Sequence, residues 1–199
     1  FSMPKSASIL ALVSGDRRIL DAHLAAVKST MSQLVEKQFA ESRNYERSRS
    51  GEPQKTGNLV YALFAHDTSR ALDPQGHIHA VVANLTREPK GTWKALWNGE
   101  IWKNNTTIGQ FYHAAFRAQL QKLGYETEAA GKHGSFEIKG VPAEVIKAFS
   151  TRANEIEAKI AETGATSLAT KKQITLYTRD PKLVPEDRGT LVEGWQQRA

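Results

Sequence analysis

The sequence has no cysteine among its 199 residues, so disulfides and thiolate metal sites are excluded and any metal must rely on histidine, carboxylate and water. The same absence weakly favours an intracellular setting. Nor is there an apolar run near the roughly twenty residues that span a bilayer, and the first residues lack the charged-then-apolar layout of a signal peptide. The expectation is a cytoplasmic protein with no membrane segment. There is no internal repeat or low-complexity tract, which excludes a solenoid. An initiator methionine is also lacking: the chain opens on "FSMPKSASILALVSGD" and reads as part of something longer.

The hydrophobic content of 40% is enough for one substantial core. Lys and Arg outnumber Asp and Glu by 27 to 21, and the resulting charge of +6 tilts the reading toward a polyanionic partner.

Pro4 suits the start of a short helix running to about residue 13. Ile19, Leu20, His23, Ala26, Val27, Thr30, Met31 and Leu34 then recur at helical spacing, predicting one long amphipathic helix over 16–40 with His23 as a core-edge histidine. Residues 41–58 are polar and arginine-rich with glycine and proline breakers. They read as an exposed hairpin or loop, either a solvated connection or a basic finger in which Arg43, Arg47 and Arg49 touch phosphates. Two buried strands are expected at 59–66 and 77–85, and a further strand at Trp93, whose side chain is assigned to the core. Trp97 and Trp102 are left open between core and base stacking. A second helical stripe covers 107–123 and stops at Gly124; a hairpin turns around Gly131-Lys132-His133-Gly134; a helix opened by Pro142 runs to about 162. Beyond it lie short helical pieces broken by Pro181, Pro185 and Gly189. Residues 1–165 are read as the core of the domain and 166–199 as its irregular, helical extension.

The chemistry-bearing stretch is "HDTSRALDPQGHIHAVV", residues 66–82. Residues two apart on a strand face the same side, so His77 and His79 project together and Ile78 enters the opposite layer. Antiparallel pairing across a ten-residue loop would bring His66 beside them. Three neutral imidazoles hold a divalent ion while leaving positions open for substrate, with Asp67, Asp73 and Gln75 as acceptors that could orient the rings. The bland alternative is two histidines packed on a sheet beside a loop histidine. A cupin-like oxygenase is a weaker reading, because Ala80, Val81, Val82 and Ala83 supply no acidic ligand after the H-x-H.

Together, "GNLVYALFAHDTSRALDPQGHIHAVVANLT", "FSMPKSASILALVSGD" and "LGYETEAAGKHGSFEIKGVP" resemble the relaxase domain of conjugative-plasmid relaxase-helicases of the TraI and TrwC type, within the HUH endonucleases. The resemblance is loose after about residue 165. It implies an α+β fold with a central antiparallel sheet flanked by helices, and makes His66, His77 and His79 the ligands of one divalent ion, magnesium or manganese in use and zinc or nickel as isolated. It further implies site- and strand-specific nicking of single-stranded transfer-origin DNA through a tyrosine, relaxosome accessory proteins as partners, and a C-terminal helicase. Arg70, in the family's H-D-T-S-R, either contacts a phosphate or pairs with Asp73; Lys5 stands near a helix N-terminus, where phosphate binding and plain solvation are both open. The family's nucleophilic tyrosines lie upstream of the "FSMPKS" motif, as does the acidic residue associated with the first histidine ligand. Tyr45, Tyr61, Tyr112, Tyr125 and Tyr177 therefore match none of them; Tyr61 and Tyr112 read as core and Tyr45 as the most exposed. A competing reading of another class follows: a single-stranded DNA-binding module whose metal site supports no cleavage.

Overall fold

The computed structural model describes residues 1–45, 49, 51–177, 183 and 187–199. Pro4, extended at φ −51° and ψ 154°, leads into helix α1 (Lys5–Leu12), which buries Ala7, Ile9 and Ala11. Helix α2 (Arg18–Ser29) follows, and its winding changes to π-helical over Thr30–Phe39. The predicted helix is thus continuous without being α-helical throughout. The change coincides with two hydroxyls that bond back to the preceding turn, Thr30 Oγ1 to the Ala26 carbonyl at 2.8 Å and Ser32 Oγ to that of Lys28 at 2.9 Å. The inner stripe is as expected through Ile19, His23, Ala26, Val27, Thr30 and Met31, all buried, but in the π-helical part the wider turn brings Val35 inward in place of the expected Leu34, which is half-buried.

Residues 41–58 do form a hairpin, β1 (Glu41–Asn44) against β2 (Glu52–Lys55). Strands β3 (Tyr61–Thr68) and β4 (Pro74–Val82) then pair antiparallel. Pairing persists to Thr68 opposite Pro74, so the link is residues 69–73, five residues where ten were expected. Pro74 can begin the strand because it needs no partner for an N–H. The first residues add a third line of pairing to β4: Phe1 and Ile78 exchange main-chain hydrogen bonds of 3.0 and 2.8 Å, and the Met3 amide donates to the Gly76 carbonyl at 2.9 Å. Gly76 permits this approach, since a Cβ there would lie 1.8 Å from Met3 Cε. The H-x-H strand is therefore central.

The two strands were expected to be buried; only one face is. Ile78 is 3% exposed on the helix side, whereas Phe64 and Val81 on the other are 51% and 56% exposed, the half-covered state of an antiparallel sheet with helices on one side. Strands β5 (Thr86–Arg87) and β6 (Trp93–Lys94) make a two-residue pairing too short to enclose a side chain, and Trp93 is 55% exposed, which overturns its assignment to the core.

After the short α3 (Gly99–Lys103), helix α4 (Asn105–Lys122) buries Ile108, Tyr112, Phe116 and Leu120, a stripe of four-residue steps. Gly124, at φ +89°, ends that run. The hairpin β7 (Thr127–Ala129) and β8 (Phe136–Ile138) is where it was predicted. The helix opened by Pro142 is in fact two, α5 (Ala143–Ala148) and α6 (Thr151–Thr163). The break delivers Phe149 into a small second core with Ile9, Val13 and Trp195. Helices α7 (Leu168–Tyr177) and α8 (Arg188–Arg198) complete the described chain. Gly189, expected as a breaker, lies in the first turn of α8, where Asp187 caps the helix by accepting from the Thr190 amide at 2.8 Å; Pro181 and Pro185 lie outside the described residues. The main core joins α2 and α4 to β4 and β8 through Ile19, Val27, Phe116, Leu120, Ile78 and Phe136. This is a central antiparallel sheet flanked by helices, as the sequence led one to expect.

Candidate metal centre

The register of β3 and β4 sets His66 directly opposite His77, and Phe64 opposite His79. The three imidazoles meet on the open face of the sheet with ring centroids 5.2 Å (His66 to His77), 5.0 Å (His66 to His79) and 5.0 Å (His77 to His79) apart. Among the described residues no donor set is already closed around one point. The ring spacing is nevertheless the one a shared ion demands: nitrogens ~2.1 Å from one centre put their ring centroids about 5 Å apart. Closing the set therefore requires side-chain rotation within a backbone that already holds the rings at the right separation, and on that geometry the residues fit a metal.

His77 is the best positioned of the three. Its Nδ1 lies 2.9 Å from the Gln75 carbonyl, which can only accept, so Nδ1 carries the proton and Nε2 keeps its lone pair for a ligand. The acceptor is thus the main chain of Gln75 and not its side chain, whose amide donates to the Met3 carbonyl. The two aspartates expected nearby serve elsewhere. Asp67 is paired with Arg188. Asp73, 1% exposed, accepts from the Thr151 amide and hydroxyl and from Arg198 at 2.8 Å. Its carboxylate is engaged there, which sets aside its pairing with Arg70, an exposed residue.

The remaining expected residues are dispersed. Lys5 is half-buried and its Nζ donates to the Pro74 carbonyl at 3.0 Å, so it supports the start of β4; burial lowers its pKa, opposed by Asp73 and Glu137. Arg43 lies over the Trp97 ring, 3.6 Å from its centroid, and Arg49 is exposed, while Arg47 lies outside the described residues. Trp102 is 78% exposed, which resolves its open assignment in favour of an outward aromatic. Tyr45 is exposed and Tyr112 buried as expected, whereas Tyr61 is only half-buried.

Beside the histidines opens a cavity of about 640 Å³, bordered by His66, His77, Arg17, Asp67, Arg188 and His23. The sequence reading missed Arg17, Arg188 and this role of His23, because only the packing of α2 and α8 brings them to the sheet. His23 is 3% exposed and burial depresses its pKa to about 3, assisted by the amino group of Phe1 and by His77. The unfolded chain thus binds a proton below about pH 6.5 that the folded chain refuses until about pH 3, so stability is full above pH 6.5 and falls as pH is lowered. Between pH 7 and pH 5 this residue alone should cost about 2 kcal/mol. Urea titrations at the two pH values, compared with the His23→Leu/Tyr112→Phe variant, measure it; an equal loss in that variant would place the effect elsewhere.

The sequence profile of the TrwC relaxase family matches residues 1–199 in full. The chain belongs to that family. It is 41% identical over 206 aligned residues to the multifunctional conjugation protein TraI of Escherichia coli, covering 99% of this chain and 11% of TraI, so it spans about a tenth of the curated relatives it matches. Among solved structures, the conjugative relaxase TrwC in a metal-free complex with OriT DNA superposes with a TM-score of 0.89 at 38% identity, covering 100% of this chain and 70% of that one. A metal-bound TrwC complex with OriT DNA gives 0.90 at 38% identity, with 100% and 68% covered.

Proposed function

We propose that this chain is the metal- and DNA-handling part of a conjugative relaxase, acting in strand-specific nicking of transfer-origin DNA. The convergence of His66, His77 and His79 at 5.0–5.2 Å carries the reading, supported by membership of a family whose TrwC member is solved with OriT DNA and with metal. These three side chains would hold one divalent ion, magnesium or manganese in use and zinc or nickel in isolated protein. Such an ion, when bound, neutralises phosphate charge and favours in-line displacement at phosphorus. His77 presents Nε2 because Gln75 holds its other nitrogen, and the exposed face around Phe64 and Val81 leaves room for a strand to approach. Exposed Arg70 and Arg49, Arg43 stacked on Trp97, and Arg47 are the proposed DNA contacts, whereas Lys5 acts through the backbone of β4. Relaxosome accessory proteins, a helicase in the same polypeptide and a cytoplasmic location complete the reading; among the described residues no helix is long and apolar enough to cross a membrane. Residues 166–199 are read as an extension of the same domain, which the seat of Trp195 among Ile9, Val13 and Phe149 supports.

The attacking tyrosine is assigned to none of the chain's own five. Tyr112 is buried with its phenol pKa raised by desolvation, and the Tyr125 hydroxyl donates to Asp16 at 2.6 Å. A labelled transfer-origin oligonucleotide incubated with the 199-residue chain and magnesium or manganese should be bound without forming a protein-linked product on a denaturing gel. A linked product would assign the chemistry to an internal tyrosine, exposed Tyr45 first, and Tyr45→Phe would then abolish it. Binding should also be electrostatic. Each phosphate neutralised contributes a slope of roughly 0.7 in log affinity against log salt, and removing Arg43 and Arg49 together should shallow that slope by about 1.4 if each neutralises one phosphate. A slope near zero in the unmodified chain would contradict a DNA-handling role.

A further inference from the structure

Beyond leaving room for a strand, the apolar side chains beside the three histidines have no part in the scheme above. Alternate residues of the two strands divide cleanly: Leu63, Ala80 and Val82 pack against the main core, while Val60, Phe64 and Val81 are exposed on the face that carries the imidazoles. The ladder runs on past β3, since the Ala83 amide donates to the Val60 carbonyl at 2.8 Å, so this face is one surface from Val60 to His66. Phe64 lies directly across from His79 and one same-face step, ~7 Å, from His66. Val81 is its diagonal neighbour. Neither strand puts a Lys, Arg, Asp or Glu on this face between Val60 and His66 or between His77 and Ala83. A bare aromatic ring with two valines, contiguous with metal-ligating side chains, suits a ligand that is anionic at one end and apolar at the other. A nucleotide is such a ligand, because its phosphate fits a metal centre and its base offers an apolar π-face. A protein partner fits less well: the strip is ~20 Å long and two strands wide, far short of the ~800 Å² that each side of a stable complex buries. Exposed aromatics on an open sheet stack unpaired bases in the same manner in single-strand-binding domains.

We propose that Phe64 is a base-stacking residue of this site: it receives the base of the nucleotide adjoining the phosphate at the three histidines, and Val81 and Val60 carry the strand onward along the sheet. The inference rests on the DNA-handling reading above and adds to it an uncharged contact, tolerant of base identity, that β3 places and the arginines do not. Stacking also fixes where the adjoining phosphodiester lies, so Phe64 supplies position as well as affinity. Because no charge is involved, its contribution is independent of salt, unlike that of the surface arginines.

The test uses the whole 199-residue chain with magnesium and two probes of equal length: a short oligothymidylate, and the same strand made abasic throughout, which keeps the phosphates and lacks the bases. Phe64→Ala should weaken oligothymidylate binding about tenfold, the loss of one stacked base, and leave the slope of log affinity against log salt unchanged. The abasic strand should bind the parent and Phe64→Ala alike. Phe64→Tyr keeps the ring and should stay within about threefold of the parent, whereas Phe64→Leu, apolar without a ring, should recover only part of the loss. Because Phe64 is exposed, all three variants should keep the thermal midpoint of the parent. The Phe64 ring protons should move upfield on addition of oligothymidylate and stay in place on addition of the abasic strand. An equal loss of both probes in Phe64→Ala, or a variant that binds oligothymidylate as tightly as the parent, would overturn the proposal and leave the DNA-handling reading standing. So would a parent chain that sediments as a dimer and is made monomeric by Phe64→Ala, which would give this face to a second copy. A chain that binds neither oligothymidylate nor origin sequence would overturn both.

Discussion

His77→Ala is expected to lower the affinity of the chain for manganese or zinc by at least about a hundredfold, measured by isothermal titration calorimetry, with one ion bound per parent chain. Loss of a group that merely orients a ligand costs about 10- to 100-fold, so loss of a ligand itself should cost no less. His77 is the most informative of the three because its ring is half-buried and its tautomer is fixed by the Gln75 carbonyl, which leaves Nε2 as its donor. Exposed His66 and His79 should follow with losses of the same order, since each ring centroid lies 5.0–5.2 Å from the other two. Oligonucleotide affinity in metal-free buffer should stay within about threefold in all three variants, because the basic surface remains. Metal binding that survives loss of any one histidine unchanged would remove that residue from the centre.

The sequence was most informative where a local rule fixes geometry. A strand places residues two apart on one face, so the juxtaposition of His77 and His79 followed from spacing alone, and the alternation of β3 and β4 brought His66 to the same side. The burial stripes of α2 and α4 were legible for the same reason. What escaped were features decided between distant elements. The length of the β3–β4 link depended on pairing that runs on to Thr68 and Pro74, and the exposure of Trp93 depended on how little of β6 is paired. His23 was placed correctly at the core edge, yet its partner Tyr112 is 89 residues away on another helix, and no periodicity announces a hydrogen bond between them. The resemblance to relaxases could mark the ligands, but the occupation of Asp73 by residues 151 and 198 is visible only in three dimensions.

That aspartate yields the second large effect. Asp73→Ala should destabilise the chain by about 3 kcal/mol, because it removes a buried, charged acceptor from three hydrogen bonds at once. Asp73 gathers three donors from two elements: the Thr151 amide at 2.9 Å, the Thr151 hydroxyl at 3.0 Å and Arg198 at 2.8 Å. Its removal strands the Thr151 amide at the start of α6 and loosens α8, whose Trp195 donates from Nε1 to the Leu72 carbonyl at 2.8 Å in the same turn. Leu72 itself sits at φ +60°, a strained setting for a leucine that these contacts help to hold. Arg198→Ala should cost much less, about 1 kcal/mol, because Arg198 is 45% exposed and water replaces part of what it loses. Asp73→Asn should fall between, keeping an acceptor for Thr151 without the charge. Chemical denaturation reads all three, and a loss for Arg198→Ala equal to that for Asp73→Ala would show that the ion pair, and not the capping of Thr151, holds this corner together. Because Asp73 immediately precedes β4, Asp73→Ala should also weaken metal binding, but by less than His77→Ala: the three β3–β4 pairings at the histidines, from Phe64 to His66 and from His77 to His79, do not pass through it.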